Sequence, residues 1–184
     1  MPFRKFQISK RGFTLIELLI VVAIIAVLVG VGSVSFTTAR RQGRDATRQA
    51  DLEKVASALE TYFADNTSYP TSDAVGVINC DGPPPIPPPT AKDWGTSFSC
   101  LDGTETKVYL QELPQDPTGD EEYFYEAQDR SGDPCTAVAF DCQQYIISVL
   151  LENTSHPVIT AGFPCTLALA PNRNYCIVSP SHVP

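Results

Sequence analysis

The residues of this chain best suited to covalent chemistry are six cysteines, Cys80, Cys100, Cys135, Cys142, Cys165 and Cys176. Their spacings of 20, 35, 7, 23 and 11 residues include no Cys-x-x-Cys pair and match no zinc knuckle. A thiol nucleophile needs a histidine base, and only His156 and His182 are present, both near the C-terminus. Cys165 with His156 is formally such a pair, but all six cysteines follow the long apolar run of residues 13–36, and an even number in a domain translocated behind such a run would point to disulfides instead. Several pairings are open to six cysteines. Sequential closure, in which each pair brackets one loop, is the working expectation: Cys80 with Cys100, Cys135 with Cys142, Cys165 with Cys176. No Gly-x-x-x-x-Gly-Lys-Ser/Thr loop occurs. No catalytic residue, cofactor or metal is expected.

The second chemically informative residue is Glu17. It lies inside residues 13–36, a run that is otherwise almost wholly apolar on every face. About 20 such residues cover a bilayer core of ~30 Å, so the run is long enough to span one. Arg4, Lys5, Lys10 and Arg11 precede it with no acid among them, which would keep the head of the chain cytoplasmic. Arg40, Arg41, Arg44 and Arg48 follow closely and weaken that asymmetry. A cleaved secretory signal would have a shorter apolar core ending at a small-residue site. A plain anchor gives no reason for Glu17, because a carboxylate at mid-membrane costs roughly 2.5–3.5 kcal/mol. An acid there is a functional-site hypothesis.

Lys10-Arg11-Gly12-Phe13-Thr14-Leu15-Ile16-Glu17 resembles the prepilin signal of type IV pilins and type II secretion pseudopilins. The resemblance implies that a prepilin peptidase cuts after Gly12, on the cytoplasmic side, and methylates the new amine of Phe13. Residues 1–12 would then be a leader and 13–36 the membrane and assembly helix of the mature protein. It also implies assembly with copies of itself and other pilin-like subunits, on an inner-membrane platform driven by a separate ATPase. Glu17 would neutralise the Phe13 ammonium of a neighbouring helix. Two unit charges ~4 Å apart are worth about 4 kcal/mol at an effective dielectric of 20, enough to set the register between subunits while apolar packing supplies the cohesion.

Past the apolar run the periodicity changes. Leu52, Val55, Ala56, Leu59, Tyr62 and Phe63 form one stripe, with Asp51, Glu53, Lys54 and Glu60 off it, which predicts an amphipathic helix over residues 37–66. Asp65-Asn66 and Tyr69-Pro70 supply its stop. Nothing between Phe13 and Asp65 forces a break, so one helix of about 80 Å is expected. Gly30 and Gly32 weaken it locally, and Val34 stands where the family commonly has proline. The four arginines are read as interface charges that meet acidic faces of neighbouring subunits. Nucleic acid is an unfavoured partner, because the 184 residues carry 21 acidic against 13 basic side chains, a net charge of −8, and the arginine patch lacks interleaved aromatics.

Residues 67–184 remain for a single disulfide-stapled head. Residues 83–89, Pro-Pro-Pro-Ile-Pro-Pro-Pro, read as a stiff polyproline loop. Leu113-Pro114-Gln115-Asp116-Pro117, leading into Tyr123-Phe124-Tyr125, resembles the corresponding turn and strand of the major secretion pseudopilin. Strands are expected at 123–127, 144–151 and 175–179, joined in one antiparallel sheet against the helix stripe, which makes the fold class α+β. Asp116, Asp120, Glu121 and Glu122 read as a solvated acidic turn, and the tail lacks the oxygen-ligand spacing of a calcium loop. No function is attached to the sequons at Asn66 and Asn153. These readings converge on a filament subunit that sits first in the inner membrane with its head outside the cytoplasm, and then in a periplasmic or surface filament. The alternatives are the pilin of a surface pilus and a non-polymerising tethered binding module.

Overall fold

The computed structural model describes residues 12–80, 90–102, 105–119, 123–135, 141–160 and 173–180. The leader residues 1–11, the polyproline tract, the acids Asp120, Glu121 and Glu122, and Cys165 lie outside the described residues.

Helix α1 runs Leu15–Asn66, ending where the Asp65-Asn66 signal placed the stop. Its first turn is closed by side chains of its own. At its C-terminal end Thr67 takes a left-handed conformation, φ 59°, and its N–H donates to the Phe63 carbonyl at 2.8 Å. That is the helix-ending turn that glycine ordinarily makes. The Asn66 side chain reinforces it by donating to the Tyr62 carbonyl at 2.9 Å.

Among the described residues eight strands follow in chain order: β1 (Thr71–Ser72), β2 (Ile78–Cys80), β3 (Thr90–Lys92), β4 (Phe98–Asp102), β5 (Glu105–Leu110), β6 (Phe124–Gln128), β7 (Gln144–Val149) and β8 (Tyr175–Val178), with a short helix α2 (Pro157–Thr160) before the last. The three expected strands are β6, β7 and β8, paired antiparallel in that order. The expectation of one sheet is corrected: β1-β2-β3 and β4-β5 make two further antiparallel sheets. Their strands are short or polar, such as Thr71–Ser72 and the largely exposed β5, so they carry little of the apolar signal by which strands are read from sequence.

The chain divides into two units, Met1–Arg40 and Arg41–Pro184. In the second, Leu52, Val55, Leu59 and Tyr62 of the expected stripe are buried, with Ala56 and Phe63 half-buried beside them. They pack with Tyr125, Ala127, Tyr145, Ile147 and Val149, the alternating residues of one face of β6 and β7. Phe124, Ile146 and Cys176 on the opposite face are buried as well, together with the polar Glu126, Gln128, Gln144 and Ser148, so neither face of these strands is exposed. Tyr69 and Tyr145 both donate hydrogen bonds to Glu60, so the core's hydroxyls find an acceptor on the helix. Burial and the Glu60 carboxylate push both phenols well above their ordinary range.

Candidate functional site

Gly12, Phe13 and Thr14 are exposed and precede the helix, so the Gly12–Phe13 peptide bond lies in non-helical chain. Phe13 is 89% exposed, and the large apolar residues from Leu15 to Val29 are each at least half exposed. A continuous apolar surface of this kind marks an interaction or membrane surface. Among the described residues no helix is long and apolar enough to cross a membrane. Within the run, the side chains of residues 31–35 lie outside the described ones.

Glu17 has a local partner that the sequence reading missed. Its Oε2 accepts hydrogen bonds from the Thr14 N–H at 2.8 Å and the Thr14 hydroxyl at 2.7 Å, while the Glu17 N–H donates to Thr14 Oγ1 at 3.3 Å. This is a capping box, in which residues three apart satisfy two helix-end donors reciprocally. Its signal, Thr-x-x-Glu before an apolar run, stands in the sequence at residues 14–17. Both residues lie beyond the expected cut, so a chain cut there would keep the cap. The negative carboxylate also sits at the positive end of the helix dipole.

In the head, the arginine reading is corrected. Arg44 and Arg48 do not wait for a neighbouring subunit, because acids of the same chain take them. Arg48, 1% exposed, donates from Nε and Nη2 to the two carboxylate oxygens of Asp116 at 2.5 and 3.1 Å, and from Nη1 to Asp45 and Glu152 at 3.0 Å each. Arg44 grips Glu152 with two bonds of 2.6 and 2.5 Å. Asp45 in turn accepts the backbone N–H groups of Glu152 and Asn153. Burial alone would raise the Asp116 carboxyl, but the bonds from Arg48 and Thr118 outweigh it and hold it at about 2. The hydrogen bonds from Arg44 hold Glu152 at about 2 against its partial burial, with Arg48 adding to them. Asp116 also accepts from the Thr118 N–H at 2.9 Å, and its side chain is 1% exposed, so the reading of Asp116 as a solvated acid is corrected. Glu152 carried no recognisable signal, since its partners are about 100 residues distant, whereas Asp45 stands three residues before Arg48 and seven before Leu52 on the stripe face, a spacing the sequence does show. Arg40 and Arg41 remain exposed, the Arg40 guanidinium 4.3 Å from the Phe36 ring centre.

Cys80 and Cys100 form a disulfide that joins β2 to β4. Cys176 is disulfide-bonded. Cys135 and Cys142, the second expected pair, are buried thiols held side by side by a hydrogen bond that lowers the Cys135 thiol. No group of three or more His, Cys, Asp or Glu able to hold a metal ion occurs among the described residues.

The prokaryotic N-terminal methylation motif matches residues 8–33 of the chain. Over 66 residues it is 44% identical to the type IV wide pilus major component PilA4 of Thermus thermophilus, covering 36% of this chain and 50% of that one. Over 111 residues it is 31% identical to the type II secretion system core protein G of Pseudomonas aeruginosa, covering 60% of this chain and 70% of the relative. The type IV major pilin protein PilA of Myxococcus xanthus is 32% identical over 69 residues, 38% of this chain and 31% of that one. No solved structure matches. The motif, the long helix with its capped acidic first turn, the antiparallel head and the extended match to core protein G together establish that the chain belongs to the type IV pilin and type II secretion pseudopilin family.

Proposed function

We propose that the chain is the structural subunit of a type IV pilus-like filament, most like a type II secretion pseudopilin. It is made as a prepilin in the inner membrane, cut between Gly12 and Phe13, methylated on Phe13, and polymerised through its N-terminal helix. The observation that carries this reading is the apolar surface from Phe13 to Val29, exposed on every side next to a single carboxylate at Glu17. In the membrane, lipid covers that surface; in a filament, the same surface of neighbouring copies covers it, and the helices form the core while the heads form the coat. The Gly12–Phe13 bond precedes the first helical turn, where a peptidase can reach an extended substrate. Work would come from the partners: a prepilin peptidase, an inner-membrane platform and its ATPase.

Intact mass and N-terminal peptide analysis of protein from its native membrane tests the processing step. A chain beginning at N-methylated Phe13 is expected. One that retains Met1–Gly12, or is cut beyond Val34, overturns the reading.

A surface pilus is the second reading, favoured by the 44% identity to a wide-pilus component. Microscopy of wild-type cells separates the two: filaments that leave the cell surface support the pilus, and loss of exported proteins without surface filaments in a deletion strain supports the pseudopilus. A non-polymerising tether would keep its function when Glu17 is replaced.

A further inference from the structure

Cys135 and Cys142 are drawn to one short stretch of chain, the exit from the helix. The Ser72 N–H donates to the Cys135 carbonyl at 3.1 Å and the Tyr69 N–H to the Cys142 carbonyl at 2.8 Å. The Cys135 N–H donates to Ala127 at 2.7 Å, at the end of β6. Both side chains are about 1% exposed and a hydrogen bond links the two thiols. Cys80, Cys100 and Cys176 of the same head are already half-cystines, the state that an oxidising compartment maintains.

We infer that Cys135 and Cys142 are a further disulfide site, closed by exchange with a disulfide donor once the head has left the cytoplasm. One cysteine, as thiolate, attacks the donor disulfide and expels the first donor thiol, leaving a mixed disulfide. The second, as thiolate, attacks the protein sulfur of that bond and expels the other donor thiol. The protein dithiol is oxidised, the donor disulfide is reduced to two thiols, and the protons lost from the cysteines pass to the two leaving groups. At 1% exposure neither sulfur is open to a donor in the folded head, so the exchange belongs to the chain before this loop closes. The bond then clasps the cysteines that hold Tyr69 and Ser72, and so fixes the turn by which the chain leaves the helix for β1. Once closed, the same burial shields it from reductants.

The inference rests on the proposed export of the head, and its test separates the two. Full-length protein from native membranes is alkylated in denaturant without reductant, cleaved between residues 135 and 142, and analysed by mass spectrometry together with its N-terminus. Expected are two unalkylated fragments joined through Cys135 and Cys142 and released by reductant. Alkylated thiols at both positions in a chain that begins at Phe13 overturn the disulfide alone; in a chain that retains Met1–Gly12 they overturn the export reading with it. A bond from either residue to another cysteine also overturns the pairing. The double variant Cys135→Ser, Cys142→Ser is expected to melt several degrees below the unreduced wild type, and an unchanged midpoint counts against the clasp.

Discussion

Arg48 concentrates the electrostatics of the head in one side chain. It meets three carboxylates and has almost no contact with water, so its removal would leave the Asp116 and Asp45 charges with only uncharged donors, those of Thr118 and the N–H groups of Glu152 and Asn153. Arg48→Ala is expected to cost about 3–5 kcal/mol in chemical denaturation, the range for breaking a buried pair from one side. The same network sets an acid limit. Asp116 and Glu152 have ordinary values of 3.8 and 4.5 and folded values of about 2, so their stabilisation is complete above pH ~5 and falls away as pH drops toward 2. Thermal melts across that window should show a falling midpoint, and Asp116→Asn should flatten the slope. Glu17 divides into two roles that substitutions can separate. Gln at that position can still complete a capping box but carries no charge, whereas Ala loses both. If the charge neutralises a neighbour's amine, Glu17→Gln and Glu17→Ala should both insert in the membrane and both fail to give filaments in the sheared fraction. Wild-type filament yield from Glu17→Gln would leave the carboxylate with the cap alone.

At the scale of elements, two turns decide how the helix is joined to the sheets. Thr67 adopts φ 59°, which a β-branched residue does at a cost of about 1–2 kcal/mol. Thr67→Gly relieves that strain, and after the extra backbone entropy glycine loses on folding, the head should gain about 0.5–1 kcal/mol in denaturant titrations. Gly76 is the opposite case. It has φ 84°, its carbonyl accepts the Tyr125 N–H, and a Cβ built on it would stand 2.2 Å from the Phe124 ring. Gly76→Ala is therefore expected to cost more than about 1 kcal/mol and to disturb the start of β6, visible as lost amide protection at Tyr125.

For the whole molecule, charge balance matters most once the leader is gone. Removing residues 1–12 takes four basic side chains away and leaves 9 against 21 acids, a balance of −12. Copies packed through their apolar helices must then crowd acidic heads together, a repulsion that salt screens over about 8 Å at physiological ionic strength. Sedimentation of sheared filaments should show a larger assembled fraction as ionic strength rises from about 0.01 M to 0.15 M. A fraction that instead falls with salt would mean that attractive pairs between copies, through exposed cations such as Arg40, Arg41 and Lys54, outweigh the repulsion.

Much of this was local and therefore legible in the sequence. The prepilin-like segment around Gly12 and Glu17, the apolar run, the 52-residue helix with its stop at Asn66 and the three strands of the last sheet depend on periodicity and on residues a few positions apart. The Thr14–Glu17 cap was equally local, and its signal was present though unread. Tertiary structure alone decided what joins distant parts of the chain. Arg48 lies four residues before Leu52 and seven before Val55, on the face of the apolar stripe with Arg44 at its edge, and only the approach of the loops carrying Asp116 and Glu152 supplies the acids that make them an internal network. The same holds for β1 to β5, whose short or polar strands are stabilised by pairing partners rather than by apolar runs. The cysteines follow this division too: their number is in the sequence, but which sulfurs meet depends on loops closing over tens of residues, a distance at which spacing along the chain no longer encodes proximity.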